Sequence, residues 1–239
     1  MLVEKDLIPV NSQPDPRQRL LDAAEELFAS RGFDGTSVRE ICDRAGMNIA
    51  SVNYHFGDKE QLYLEAIKRA HACADGFTDT DQPVPEMPAG LPPEQKLKAF
   101  IGVMAGRMLL PARISAVQLL MREMANPSPA AATVILQFIR PKAFLLRDIL
   151  TEMFPHADPR HVLMVGNSVI GQILFYRQNR PVIELIFGKE RIDALDVDLV
   201  TEHVTRFTLA ALGYVTPLRE HLGSGDHETN ASRRPETGK

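Results

Sequence analysis

Apolar positions recur three and four residues apart through most of the chain, and no segment alternates in twos between turn signals, so the pattern predicts an all-α protein. From Arg17, the series Leu20, Leu21, Ala24, Leu27, Phe28 marks one face of an amphipathic helix that Gly32 ends as a left-handed cap. Phe33 follows as a packing residue and Gly35 as a turn. Thr36 or Ser37 then caps a second helix, with Glu40 placed to complete a capping box with Ser37 and Val38, Ile41, Cys42 and Ala45 on its inner face. Gly46 interrupts that pattern. Asn48 caps a short third helix ending near His55, and Asp58 opens a fourth lined by Leu62, Ala66, Ile67 and Ala70.

The stretch from Gly76 to Pro93 holds five prolines and no periodicity, which marks a linker or an ordered loop. Long apolar helical patterns follow at about 93–110, 112–125, 129–153, 158–179 and 195–213, and Pro141 is expected to kink the third of these. The chain thus divides into an arm over 1–14, a helical unit over 15–70, a larger helical bundle over 71–215 and a polar tail over 216–239 expected to be disordered.

At 239 residues, 44% hydrophobic and 24% charged, the composition is that of an ordinary globular protein. No apolar run approaches a membrane span and the N-terminus has no apolar signal core, so a cytoplasmic protein with no membrane partner is expected. Cys42 and Cys73 lack metal-type or disulfide-framework spacing and the seven histidines are scattered, so no structural metal and no cofactor are expected. The net charge is −4, and Pro14 to Ala70 carries eight Lys/Arg against ten Asp/Glu. Bulk charge therefore argues against nucleic acid as a partner, and any such role has to come from local geometry.

That geometry is present. Two short helices joined at Ala45-Gly46-Met47 have the form of a helix-turn-helix, whose turn needs the positive φ that glycine tolerates and whose second helix enters the major groove. The run F-x-x-x-G-F-x-G-T-S-V-x-x-I-C-x-x-A-G-M-N, continued by I-A-S-V-N-Y-H-F-G-D-K-E-Q-L-Y, resembles the DNA-binding domain of the TetR family of bacterial transcriptional regulators across residues 17–69. The later part, through its REMANPSPA stretch and the proline after Arg140, is similar to the CecR-type branch of that family. The resemblance implies a three-helix DNA-binding domain followed by an effector-binding and dimerisation bundle. It implies phosphate contacts from Thr36 and Ser37, capping by Asn48, and base-facing positions at Ile49, Ala50, Ser51 and Asn53. Tyr54, His55 and Lys59 match positions that hold phosphates, whereas Phe56 reads as a core aromatic. With no Arg or Lys among the base-facing residues, readout is weighted to A·T pairs.

In the bundle, polar residues stranded on apolar helices and the flexible apolar residues beside them are pocket candidates: Met104, Met108, Gln118, Met121, Arg122, Glu123, Phe138 and Gln172. The resemblance implies a homodimer through the helices near 158–179 and 195–213. The stripes expected to form its seam are Val162, Val165, Val169, Ile173 and Tyr176, and Val197, Val200, Val204, Phe207 and Ala211, unless those stripes are core within one chain. The expected function is a repressor that binds palindromic double-stranded operator DNA and is controlled by a small-molecule effector. The alternatives are a ligand-binding or scaffold protein without specific DNA binding, and an enzyme, for which no catalytic motif stands in the sequence.

Overall fold

A computed structural model describes residues 15–74, 87, 90–109 and 113–216; the expected arm, most of the linker, the Cys73 side chain and all but the first residue of the expected tail lie outside them. All regular structure among the described residues is helical. Helix α1 (Pro16–Arg31) starts on a proline, which loses no needed donor there, and stops at Gly32 (φ 76°), whose N–H bonds the Phe28 carbonyl. Gly32 carries positive φ as expected, but its ψ of −179° sends the chain out extended rather than into a left-handed turn. Helix α2 (Val38–Ala45) is capped by Ser37 with the complete Glu40 capping box, and Gly46 (φ 65°, ψ 39°) ends it in the left-handed conformation. Helix α3 (Ile49–Phe56) begins where Asn48 accepts the Ser51 N–H, and α4 (Lys59–Ala74) where Asp58 Oδ1 accepts the Gln61 N–H at 2.8 Å.

The remaining helices are α5 (Pro93–Leu109), α6 (Ile114–Ala125), α7 (Pro129–Val134), α8 (Arg140–Met153), α9 (Pro159–Gln178), α10 (Arg180–Phe187), α11 (Lys189–Asp193) and α12 (Val197–Ala211). Between α7 and α8, Ile135–Ile139 forms one π-helical turn. This is how the chain accommodates Pro141: the proline lacks an N–H, and the residue before it, Arg140, donates five residues back, to Ile135, instead of four. Neither α10 nor α11 is expected from the periodicity.

Two cores form. The first gathers Leu20, Phe28, Ile41, Val52, Leu62 and Ile67 from α1–α4 with Ala116 and Leu119 of α6, Ala131 and Val134 of α7, and Phe138. The second joins α5, α8, α9 and α12 through Leu97, Phe100, Ile101, Leu150, Val169, Ile173, Val200 and Val204. The continuous run Pro129–Met153 is long and apolar enough to cross a membrane by length and composition, yet it contributes side chains to both cores and serves as the helix that ties them.

Two buried carboxylates weld α6 to α1 and α4. Glu25 of α1, 1% exposed, accepts from Arg69 Nε (3.1 Å), Arg113 Nη2 (2.7 Å) and Ser115 Oγ (2.7 Å). Glu123 of α6 accepts from the Tyr63 hydroxyl of α4, and from Ser128 N (2.9 Å) and Oγ (2.6 Å).

One expectation needs correcting. The stripes named for the dimer seam turn inward: Val162, Val169, Ile173, Val200 and Val204 are buried in the second core, with Val165, Tyr176 and Val197 packed against it, because α5 and α8 take that face within the same chain. Of the named residues, Phe207 and Ala211 are exposed.

Candidate nucleic-acid interface

Helix α3 is anchored from below by Val52 and Phe56, both buried in the first core, so Phe56 is a core aromatic as expected. This leaves Ile49, Ala50, Asn53 and Tyr54 on its solvent side. Ile49 is 52% exposed and Tyr54 85%, values that an apolar or aromatic side chain in a monomer's core would not show. Asn48 Oδ1 accepts from both the N–H and the hydroxyl of Ser51 (each 3.0 Å), which fixes the start of the helix and commits Ser51 to its cap. Tyr54 and His55 meet edge to face at 4.9 Å. Lys59 rests its ammonium 4.1 Å from the centre of the Phe33 ring and has no carboxylate partner among the described residues, so its charge stays available.

Thr36 is placed differently from its expected role. It is 2% exposed, and its hydroxyl donates toward the carbonyls of Gly32 (2.8 Å) and Leu27 (3.2 Å), while its N–H bonds Phe33 O at 3.3 Å. A hydroxyl buried and engaged in this way ties the α1–α2 turn together and is not presented to a phosphate. Ser37 is exposed, but its hydroxyl donates to Glu40 Oε2 at 2.8 Å while accepting the Glu40 N–H. The backbone and hydroxyl bonds of Ser37 hold the Glu40 carboxyl below its usual range, so it is a full negative charge that Arg31 offsets from 2.6 Å.

Most of the cations nearby are likewise engaged. Arg17 pairs with Glu65, Arg44 with Glu26, Lys68 with Glu65, Arg69 with Asp22 and Glu25, and Arg39 with Asp43 at a loose 4.0 Å. Arg19 points a guanidinium nitrogen at the Met47 sulfur (3.1 Å), a link from α1 to the helix-turn-helix turn that no periodicity signals.

The eight pocket candidates do not converge. Met104 lies in the second core with Met108 against it, and Phe138 lies in the first core beside His71 (5.5 Å between rings). Gln118 is exposed, Met121 is half-buried, and Gln172 turns back to the Ser168 carbonyl at 3.3 Å. Arg122 and Glu123 do share a cleft of about 550 Å³, at the junction with Gly32, Phe33 and Tyr63. Here a Cβ on Gly32 would come within 2.9 Å of the Arg122 guanidinium, which can swing aside, so it is the positive φ that calls for glycine. A second cleft, of about 560 Å³ between α8 and α9, contains none of the eight.

At this junction burial pushes the Tyr63 phenol well above its usual range, with the Glu123 hydrogen bond and charge adding to it. The folded state therefore holds that proton more tightly than the unfolded chain. The resulting stability is fully present below about pH 10 and is lost as pH climbs toward the raised value. In an ultraviolet titration, the difference between wild type and Tyr63→Phe should ionise above about pH 10. A Tyr63 that ionises at or below that value would show that the phenol is not buried against Glu123 in solution.

Comparisons with known proteins agree with this geometry. Residues 20–66 match the model of the bacterial regulatory proteins of the tetR family, and residues 93–212 match that of the C-terminal domain of the HTH-type transcriptional dual regulator CecR. The chain is 26% identical over 196 residues to the dual regulator CecR of Shigella flexneri, covering 79% of this chain and 87% of that protein. It is 35% identical over 83 residues to the transcriptional repressor AcnR of Corynebacterium efficiens, a match spanning 35% of this chain and 42% of the relative. In fold it is similar to the fatty acid degradation regulator FadR of Bacillus halodurans (TM-score 0.51, 16% identity, 83% of this chain and 97% of that one). With a capped helix-turn-helix presenting α3 to solvent and a CecR-type domain behind it, the chain belongs to the TetR family of DNA-binding transcriptional regulators.

Proposed function

We propose that the chain is a repressor that binds a palindromic operator as a homodimer and is controlled by a small molecule. The observation that carries the DNA half is α3 itself: a helix buried on Val52 and Phe56 that presents Ile49, Ala50, Asn53 and Tyr54 outward, with unpaired Lys59 at its flank. Asn53 suits a bidentate contact with adenine, and Ile49 and Ala50 suit a thymine methyl. Tyr54, His55, Lys59 and the exposed Ser37 are the phosphate-holding set, Ser37 by exchanging its Glu40 bond for one to the backbone.

The dimer half rests on the outer faces of the last two long helices. On α9, Met164, Ser168, Gly171 and Phe175 follow a four-three-four spacing and are all exposed; on α12, Leu199, His203 and Phe207 are exposed at intervals of four. A monomer gains nothing from two such faces, and a C2 dimer covers them. On a palindromic operator the dimer would have to hold its two copies of α3 about 34–36 Å apart, in successive major grooves. A small molecule acts by binding better to one dimer geometry than to another. The Glu25 and Glu123 contacts are the rigid connections by which α6 would carry that change to α1 and α4.

The test is a titration against salt on DNA from the gene's own upstream region. A site should be selected there, with affinity falling steeply as salt rises. Lys59→Ala should weaken every DNA about equally and reduce the salt slope by about one, whereas Asn53→Ala should cost about 1–3 kcal/mol of discrimination at one position per half-site. A flat salt response, no selected site, or equal losses of specificity from both variants would overturn the reading.

A further inference from the structure

Helix α10 has eight residues and not one of them is buried. Val182, Leu185 and Ile186 lie on one side, with Phe187 next to them, and their exposures run from 55% for Phe187 to 88% for Leu185. A two-turn helix is far too short to persist in water on its own propensity. Its polar side is pinned by Arg180, which pairs with Glu184 at 2.8 Å and with Asp193 of α11. Among the described residues, the structure thus leaves the apolar side of this helix largely uncovered.

The α8–α9 cleft has the complementary character. Its walls include Phe144 and Leu146 of α8 and Val162, Leu163 and Gly166 of α9. The charge at its edge is already satisfied, since Arg147 bonds Asp148 at 2.6 Å and stacks 4.3 Å from the Phe144 ring. A cleft with apolar walls and a neutralised rim suits an apolar helix face better than a charged ligand.

The two features lie at opposite ends of α9, about 25 Å apart along its axis, so α10 does not reach its own chain's cleft. A second copy closes the gap. Gly171 is exposed near the middle of the outer face of α9, and a Cβ there would meet nothing within 4 Å, so two copies can cross closely at this point. If they run antiparallel about it, Phe175 lies beside the partner's Asn167 and Asn179 beside the partner's Leu163. Each α10 then starts at the mouth of the other subunit's cleft. We propose that α10 is an exchanged arm: its apolar side, centred on Leu185, docks in the α8–α9 cleft of the partner subunit, continuous with the α9–α12 face. This rests on the dimer reading above and adds to it a second, reciprocal contact.

The test uses full-length protein in a Cys42→Ala, Cys73→Ala background, with Leu163→Cys and Leu185→Cys introduced singly and together. On mild oxidation the double variant should run as a covalent dimer on a non-reducing gel, and neither single variant should. Leu185→Glu should raise the dimer dissociation constant by about tenfold or more without changing the helical content. A sedimenting dimer whose double variant stays uncrosslinked, or crosslinks within one chain, would overturn the arm while leaving the dimer reading intact. A wild type that sediments as a monomer would overturn both. Binding of wild type, but not Leu185→Glu, to phosphatidylcholine–phosphatidylglycerol vesicles with an unchanged dimer constant would make α10 a membrane-surface helix and end the proposal.

Discussion

Glu25→Ala is expected to lower the unfolding free energy by about 3–5 kcal/mol, nearer the lower figure because Asp22 still faces both guanidinium groups. Glu25 is 1% exposed and is the meeting point of Arg69, Arg113 and Ser115, so its removal strands donors from α4 and from the start of α6 around a cavity that no carboxylate fills. Chemical denaturation followed by circular dichroism measures the loss. Asp22→Ala is the reference: Asp22 is itself 45% exposed, and its pairs should be worth less than about 1 kcal/mol. A Glu25 variant no less stable than the Asp22 variant would mean that the cluster does not hold α1, α4 and α6 together.

The second large effect concerns assembly. Phe175→Glu sets a carboxylate in each of two symmetry-related positions of an apolar face, and each unpaired charge costs several kcal/mol to bury. The dimer dissociation constant should rise by at least ~100-fold, read by sedimentation, with helical content unchanged. Operator affinity should fall with it, since a single α3 reads one half-site and loses the gain from linkage to the second. A Phe175→Glu protein that sediments and binds DNA like wild type would place the interface elsewhere.

Much of the DNA-binding half was legible because its signals are local. Ser37 with Glu40, Gly46, Asn48 and Asp58 act on backbone groups within a few residues of themselves, and each does in the structure what its spacing announced. Thr36 escaped the same logic: its hydroxyl is spent on the Gly32 and Leu27 carbonyls of the turn before it, and burial by the α1–α2 turn cannot be seen in a capping pattern. The seam failed for a related reason. Helices α9 and α12 are apolar on two sides, and helical periodicity identifies an apolar side without telling which neighbour covers it. The valines went to α5 and α8, leaving Met164, Phe175, Leu199 and Phe207 outside. Arg122 and Glu123 stood out as stranded polar residues. In the structure Arg122 is exposed, and Glu123 finds its partners in Tyr63, 60 residues away, and in Ser128, so the sequence displayed the anomaly but not its resolution. Helices α10 and α11 lie between turn-like residues and are short enough for their periodicity to pass unnoticed.

Of the eight Lys and Arg side chains in α1–α4, six are paired with carboxylates of the same helices. Attraction to arbitrary DNA comes from cations that displace the phosphates' counterions, so a domain neutralised in this way is held only weakly by the chromosome at large. A bacterial genome offers on the order of 10⁶ or more competing sites, and a basic regulator must be made in numbers sufficient to saturate much of that sink before its operator fills. This one is free of most of that burden. A small number of molecules per cell would then suffice to keep an operator of the proposed kind occupied.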